Sequence, residues 1–233
     1  MGTVSSHKLR DLSKHEAIWQ HPDAERLLET DRRTVVVVES GASVEVITGL
    51  AAVAVTVIGI DGYRPIVMAS VATLLLGIAL VTQGGAIASR WRAMLRRFES
   101  TRFDRAELIG GIGTEVFGGV VGIVIAILAL AGVVPHVMIP VATIVYGAAL
   151  LLGGAAQPEL AILGGKDDSR ANAVEASGGI MVLVGIAAGV LGILALLDVG
   201  PIVELALIAL LCVGGALTFA GGALAARLMG RLA

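Results

Sequence analysis

Charge is scarce in this chain, and so are aromatic rings. Only 15% of the 233 residues are Asp, Glu, Lys or Arg, and only 3% are Phe, Trp or Tyr. A water-soluble domain of this length needs far more polar surface, so that class is excluded. The shortage of aromatics leaves little for the Trp and Tyr belts that often mark a bilayer interface. A single cysteine, Cys212, excludes an internal disulfide and reads as a small core residue in an apolar run. Also missing are a Ser–His–Asp arrangement, a CxxC pair and a haem-type His pair. The glycine pairs Gly110-Gly111, Gly153-Gly154 and Gly164-Gly165 lie at the ends of apolar runs, not between a strand and a helix, which excludes a nucleotide loop. The expectation is that the chain is not an enzyme and binds no nucleic acid.

What is abundant is apolar. Residues of that kind make up 56% of the chain, mean hydropathy is +0.90, and 31 glycines accompany them. Small residues at this density suit transmembrane helices whose backbones approach closely. A spanning helix takes about 20 apolar residues. Six such runs occur, at about 43–60, 65–88, 108–133, 136–156, 173–197 and 201–225. Links as short as 61–64, 134–135 and 198–200 make each successive pair a tight antiparallel hairpin. The fold class read from this is all-α: a polytopic membrane protein of six transmembrane helices in three hairpin repeats, preceded by a short helical cytoplasmic segment. The organisation is 1–40 for that segment, 41–107 for the first hairpin with a basic extension, 108–172 for the second, and 173–233 for the third with the tail.

Orientation follows from Lys and Arg. Of the 17 in the chain, Arg64 alone falls on the side of the short links. The other groups lie before the first run, between the second and third, between the fourth and fifth, and after the last. By the positive-inside rule both termini are expected in the cytoplasm, with the protein multi-pass in the inner or plasma membrane. The first forty residues are polar, which predicts no cleavable signal.

The hairpins repeat in sequence. Val67-Met68, Val71-Ala72-Thr73, Gly77 and Ala79-Leu80 recur seventy residues later as Val137-Met138, Val141-Ala142-Thr143, Gly147 and Ala149-Leu150. A third copy, shifted by one residue, keeps Ala209, Gly214, Ala216-Leu217 and Gly221-Gly222-Ala223. Each copy opens with a glutamate followed four residues on by glycine: Glu45 with Gly49, Glu115 with Gly119, Glu175 with Gly179. A carboxylate inside the hydrocarbon is costly and usually faces a partner, a cation or a water-filled path. Two readings stand side by side. The acids end-cap their helices and complement the helix dipole, or they converge on a site that binds or passes protons or a small cation. In the second reading Gln83 is an auxiliary neutral ligand, and Gly49, Gly119 and Gly179 permit the close helix contact. A bound cation is the only cofactor this allows for.

Outside the runs, Ser13-Lys14-His15-Glu16 has the form of a capping box, and Pro22 suits the first turn of a second helix. Trp91, Met94, Leu95 and Phe98 make an apolar stripe flanked by Arg90, Arg92, Arg96 and Arg97. That basic stretch over 90–105 is a candidate contact for anionic lipid or a partner, or a cytoplasmic extension of the second helix. Glycine-rich faces predict a homo-oligomer in the bilayer.

The unit of an apolar helix, a proline turn and a second helix with Gly-x-Ala-Leu and Gly-Gly-Ala resembles the tandem membrane repeats of HdeD-type proteins. Pro65 with Gly77, Pro135 with Gly147 and Pro201 with Gly214 carry the resemblance over about residues 41–225. It implies a bacterial six-helix inner-membrane protein linked to acid resistance, and it supplies no catalytic residues. The alternative function is a non-transporting scaffold or subunit of a larger membrane complex.

Overall fold

The computed structural model describes the backbone of residues 44–97, 105–163 and 168–229, with side chains over 44–85, 113–155 and 178–222. The expectations for segment 1–40, for the side chains of Arg90, Trp91, Arg92, Arg96 and Arg97, for the Glu175 side chain and for the last residues lie outside that description.

Six helices are present: α1 (Val44–Ile60), then α2 (Pro65–Arg97), α3 (Arg105–Leu130), α4 (Pro135–Leu163), α5 (Asp168–Leu196) and α6 (Ile202–Met229). No strand occurs among the described residues. Helices α2 to α6 are long and apolar enough to cross a membrane, with spans of 18 to 21 residues, and α1 is a shorter apolar helix. On length and composition this is a multi-pass membrane protein. Helix α2 runs past its apolar span, which ends at Gly85, as far as Arg97. The backbone of the basic stretch Arg90–Arg97 therefore continues α2 and is not a separate helix.

The three short turns share one geometry. In the first, Gly62 N–H donates to the Gly59 carbonyl (3.1 Å) and Tyr63 N–H to the Ile58 carbonyl (3.3 Å). This is the Schellman pattern, which satisfies carbonyls left over at a helix end and needs a left-handed residue there. Gly132 and Val133 make the same pair of bonds to Ala129 and Leu128, and Asp198 and Val199 make them to Ala195 and Leu194. The left-handed position is taken by Gly62, Gly132 and Asp198, at φ of 97°, 85° and 57°. Two residues later a second positive φ falls at Arg64, Val134 and Gly200, each directly before a proline that is the first residue of the next helix (Pro65, Pro135) or immediately precedes it (Pro201). Asp is one of the few side chains that tolerates this region, so the third turn keeps its shape with its glycine displaced.

Helices α2, α4 and α6 pack on one another, α3 lies against α2 and α4, and α5 lies against α4 and α6. Helix α1 completes the bundle against α6 and α2: a Cβ added at Gly59 would stand 2.9 Å from Met68 Cβ and 3.0 Å from Leu207 Cδ2. The even helices thus form an inner triangle, and the odd ones lie outside it. Inner side chains stack in layers: Ala72, Ala142 and Ala209, then Leu76, Tyr146 and Val213, then Leu80, Leu150 and Leu217, all buried. Tyr146 is the large member. Its ring fills the space left by Gly122 on α3, and its hydroxyl donates to the Thr73 carbonyl of α2.

Bilayer lipid is as apolar as leucine, so close packing must hold such a bundle together. Three seams supply it. A Cβ on Gly119 of α3 would stand 2.7 Å from the Gly77 carbonyl oxygen of α2, and one on Gly185 of α5 would stand 2.6 Å from the Gly147 oxygen of α4. At the third seam, Gly49 of α1 meets α6 at Gly214 and Thr218, where an added Cβ would stand 3.4 Å from the Gly214 oxygen. Gly179 is exposed, and a Cβ there would meet nothing within 4 Å. The close contact expected of Gly179 is made by Gly185. Gly118 and Gly185 both pack inside the chain, against Ala149 and Gly147. Buried hydroxyls bond back along their own helices, as Thr56 does to Ala52 and Thr73 to Ala69 (both 2.7 Å).

Candidate functional site

Depth in a helical bundle is set by residue count from a fixed landmark, since each residue adds about 1.5 Å. The landmark here is the left-handed turn residue. Glu45 lies seventeen residues before Gly62, and Glu115 lies seventeen before Gly132. Counting seventeen back from Asp198 gives Met181, not Glu175. Burial supports that register. Glu45, Glu115 and Met181 are 2%, 1% and 0% exposed, while two residues later Ile47, Phe117 and Leu183 are 66%, 70% and 69% exposed. The three outer helices therefore read Glu-Val-Ile, Glu-Val-Phe and Met-Val-Leu at one level, each with glycine (Gly49, Gly119, Gly185) a turn later. Glu175 lies six residues nearer the start of α5, roughly 9 Å along the axis. The Glu-x-x-x-Gly match in the third copy is a similarity of sequence at a different depth.

Glycines of the inner helices receive these side chains. Glu45 packs on Gly221 of α6, with 3.2 Å from its Cδ to an added Cβ. The Glu115 stem packs on Gly84 of α2, with 3.3 Å from its Cβ to an added Cβ, and its carboxyl lies in the space a side chain at Gly153 of α4 would fill. Met181 packs on Gly154 of α4, 2.9 Å from Cβ to added Cβ. In the inner triangle this level follows the Leu80, Leu150 and Leu217 layer and is made of Gln83, Gly153 and Ala220. Gln83 is 6% exposed and reaches across to α5, where its Nε2 donates to Met181 Sδ at 3.9 Å.

The result is a buried polar cluster at the end of the bundle away from the turns. Glu45 on α1 and Glu115 on α3 share this level, on two helices that both pack against α2. Three oxygens there have no hydrogen-bond partner: Glu45 Oε1, Glu115 Oε2 and Gln83 Oε1. Each is an acceptor, and a buried acceptor without a donor costs about 1–3 kcal/mol, more if charged. Arg64 is the only Lys or Arg whose side chain is described, and it sits in the first turn at the opposite end. Among the described residues, no donor or positive charge reaches these three oxygens. Two protons, or one cation, would supply what is missing.

Among the described residues no group of three or more His, Cys, Asp or Glu side chains is placed to hold a metal ion. Met181 was not singled out in the sequence, although its distance from the third turn and the shared pattern around Gly185 were both available there. Comparison of the chain with protein-family models, with curated proteins and with solved structures finds no match.

Proposed function

We propose that this multi-pass protein binds protons or a small cation at the buried pair Glu45 and Glu115, with Gln83 as a neutral member of the site. One observation carries the reading: three acceptor oxygens from three helices share a buried level with no donor to satisfy them. The end-cap reading is weak for Glu115, because α3 begins at Arg105 and Glu115 lies ten residues inside it. An acid there is past the first turn, where free amides and the dipole act. In this proposal three hairpin repeats surround the site, which faces the cytoplasm as the positive-inside rule directs. An HdeD-type kinship and a part in acid resistance belong to the same proposal, since proton binding is the chemistry such a role needs.

The test uses Glu45→Gln and Glu115→Gln in the purified full chain and in liposomes. The expected outcome is loss of proton uptake or cation-dependent thermal stabilisation in either single variant. The double variant should lose no more than a single one, because coupled carboxyls act as a unit. Unchanged uptake and stabilisation in both would reject the site.

A second reading has its own support. The layers Leu80/Leu150/Leu217 and Leu76/Tyr146/Val213 fill the inner triangle next to the polar level, with every member 0% exposed. An axis packed in this way favours a binding site, or a scaffold that docks partners, over a pore through the chain. Flux into liposomes that matches protein-free liposomes, with proton uptake retained, would select binding without passage.

A further inference from the structure

The level that holds the acids breaks the repeat at two places, and the two changed residues meet each other. On the outer helices the third position is Met181 where the others carry Glu45 and Glu115. On the inner helices the first position is Gln83 where the others carry Gly153 and Ala220. These two odd members touch, Gln83 Nε2 on Met181 Sδ at 3.9 Å. An amide has one nitrogen end and one oxygen end. Holding the nitrogen against the thioether turns the Gln83 oxygen away from Met181, and that oxygen is one of the three without a partner.

Resting on the reading just proposed, we infer that Gln83, oriented by Met181, is the specificity-determining residue that makes this a site for protons and not for hard metal cations. Two neutral carboxyls bring two O–H donors, and Gln83 Oε1 is an acceptor waiting for one of them. A hard divalent cation completes its shell with water: calcium takes six to eight oxygens, and magnesium joins one or two carboxylates to several waters, whereas Glu45, Glu115 and Gln83 are all buried here. The level offers two carboxyls and one amide oxygen, and its fourth member is a thioether, a ligand suited to soft metals. A carboxylate at the third position would have completed an acidic ring of the kind that recruits such a cation. Met181 removes that option and leaves the pair to share protons. Among the described residues no other titratable side chain lies at this level; Asp61, Tyr63, Arg64, His136, Asp198 and Glu204 all lie at or near the turns.

The experiment is infrared spectroscopy on the purified full chain in detergent at neutral pH, beside thermal melting with Ca2+, Mg2+ or Na+ added. Wild type should show a protonated-carboxyl C=O band that moves in D2O and is absent from the Glu45→Gln, Glu115→Gln double variant. None of the three cations should raise its melting temperature. Gln83→Met, close in volume and lacking the amide, should displace the band, and Gln83→Leu serves if that variant folds poorly. Met181→Glu should acquire a melting temperature that rises with Ca2+. A band identical in wild type and both Gln83 variants overturns the inference while leaving the proton site standing. Stabilisation of wild type by any of the three cations, or a folded Met181→Glu variant indifferent to Ca2+, also overturns it. Absence of both the band and any cation effect removes the underlying reading as well.

Discussion

At the scale of single residues, the missing side chain matters as much as the one present. The Glu115 carboxyl occupies the space where a Gly153 side chain would lie, and Tyr146 likewise needs Gly122. Gly153→Ala adds one methyl group, yet it should displace the carboxyl and cost about 1–3 kcal/mol, the usual penalty for overfilling a packed interior. Thermal unfolding in detergent measures the loss, and proton uptake should fall with it. Gly85, one residue past the Gly84 contact, has open space where its Cβ would go. Gly85→Ala is the matched control and should leave both quantities unchanged.

The elements are joined by one turn used three times, and strain is unevenly distributed among the copies. Val134 is β-branched and sits at φ 38°, a region such side chains avoid. Val134→Gly should therefore raise stability by about 1 kcal/mol, read as a higher melting temperature. The seams between helices give a sharper contrast. Gly119→Leu and Gly185→Leu push side chains into the facing backbone at Gly77 and Gly147 and should destabilise by 1–3 kcal/mol or more. Gly179→Leu, in a motif of the same appearance, should cost nothing measurable. Equal losses at 179 and 185 would contradict the register that places Met181 beside the acids.

Across the whole molecule, inner and outer helices divide the work. Even helices supply the packed triangle, and odd helices leave Ile47, Phe117 and Leu183 exposed on the outside of the bundle. The register places all three turns at one end of the bundle and the polar level at the other. Cysteines introduced at 62, 132 and 199 into a chain lacking Cys212 should therefore react with an impermeant reagent from one and the same side. Cysteines at 5 and 230 should react only from the other side, which the asymmetry of Lys and Arg assigns to the cytoplasm. A turn labelled from the opposite face to its two counterparts would break the threefold arrangement of hairpins.

The number of helices, their apolar character and the places of the turns were legible in the sequence, because burial in a bilayer demands long apolar runs and helix ends demand Gly, Asp and Pro. Glu45, Glu115 and Gln83 were legible for a related reason: polar atoms stand out where nearly everything else is apolar. The third member of the level was not read. A local pattern such as Glu-x-x-x-Gly reports spacing along one helix and says nothing about depth, whereas Met181 shares a level with the acids through its distance from a turn. Which side chains meet across helices, and which glycines make contact, depends on how six cylinders are rotated against one another. Only the packed bundle decides that rotation, because it is set by steric fit between backbones such as those of Gly77 and Gly119 and not by the chemistry of either residue alone.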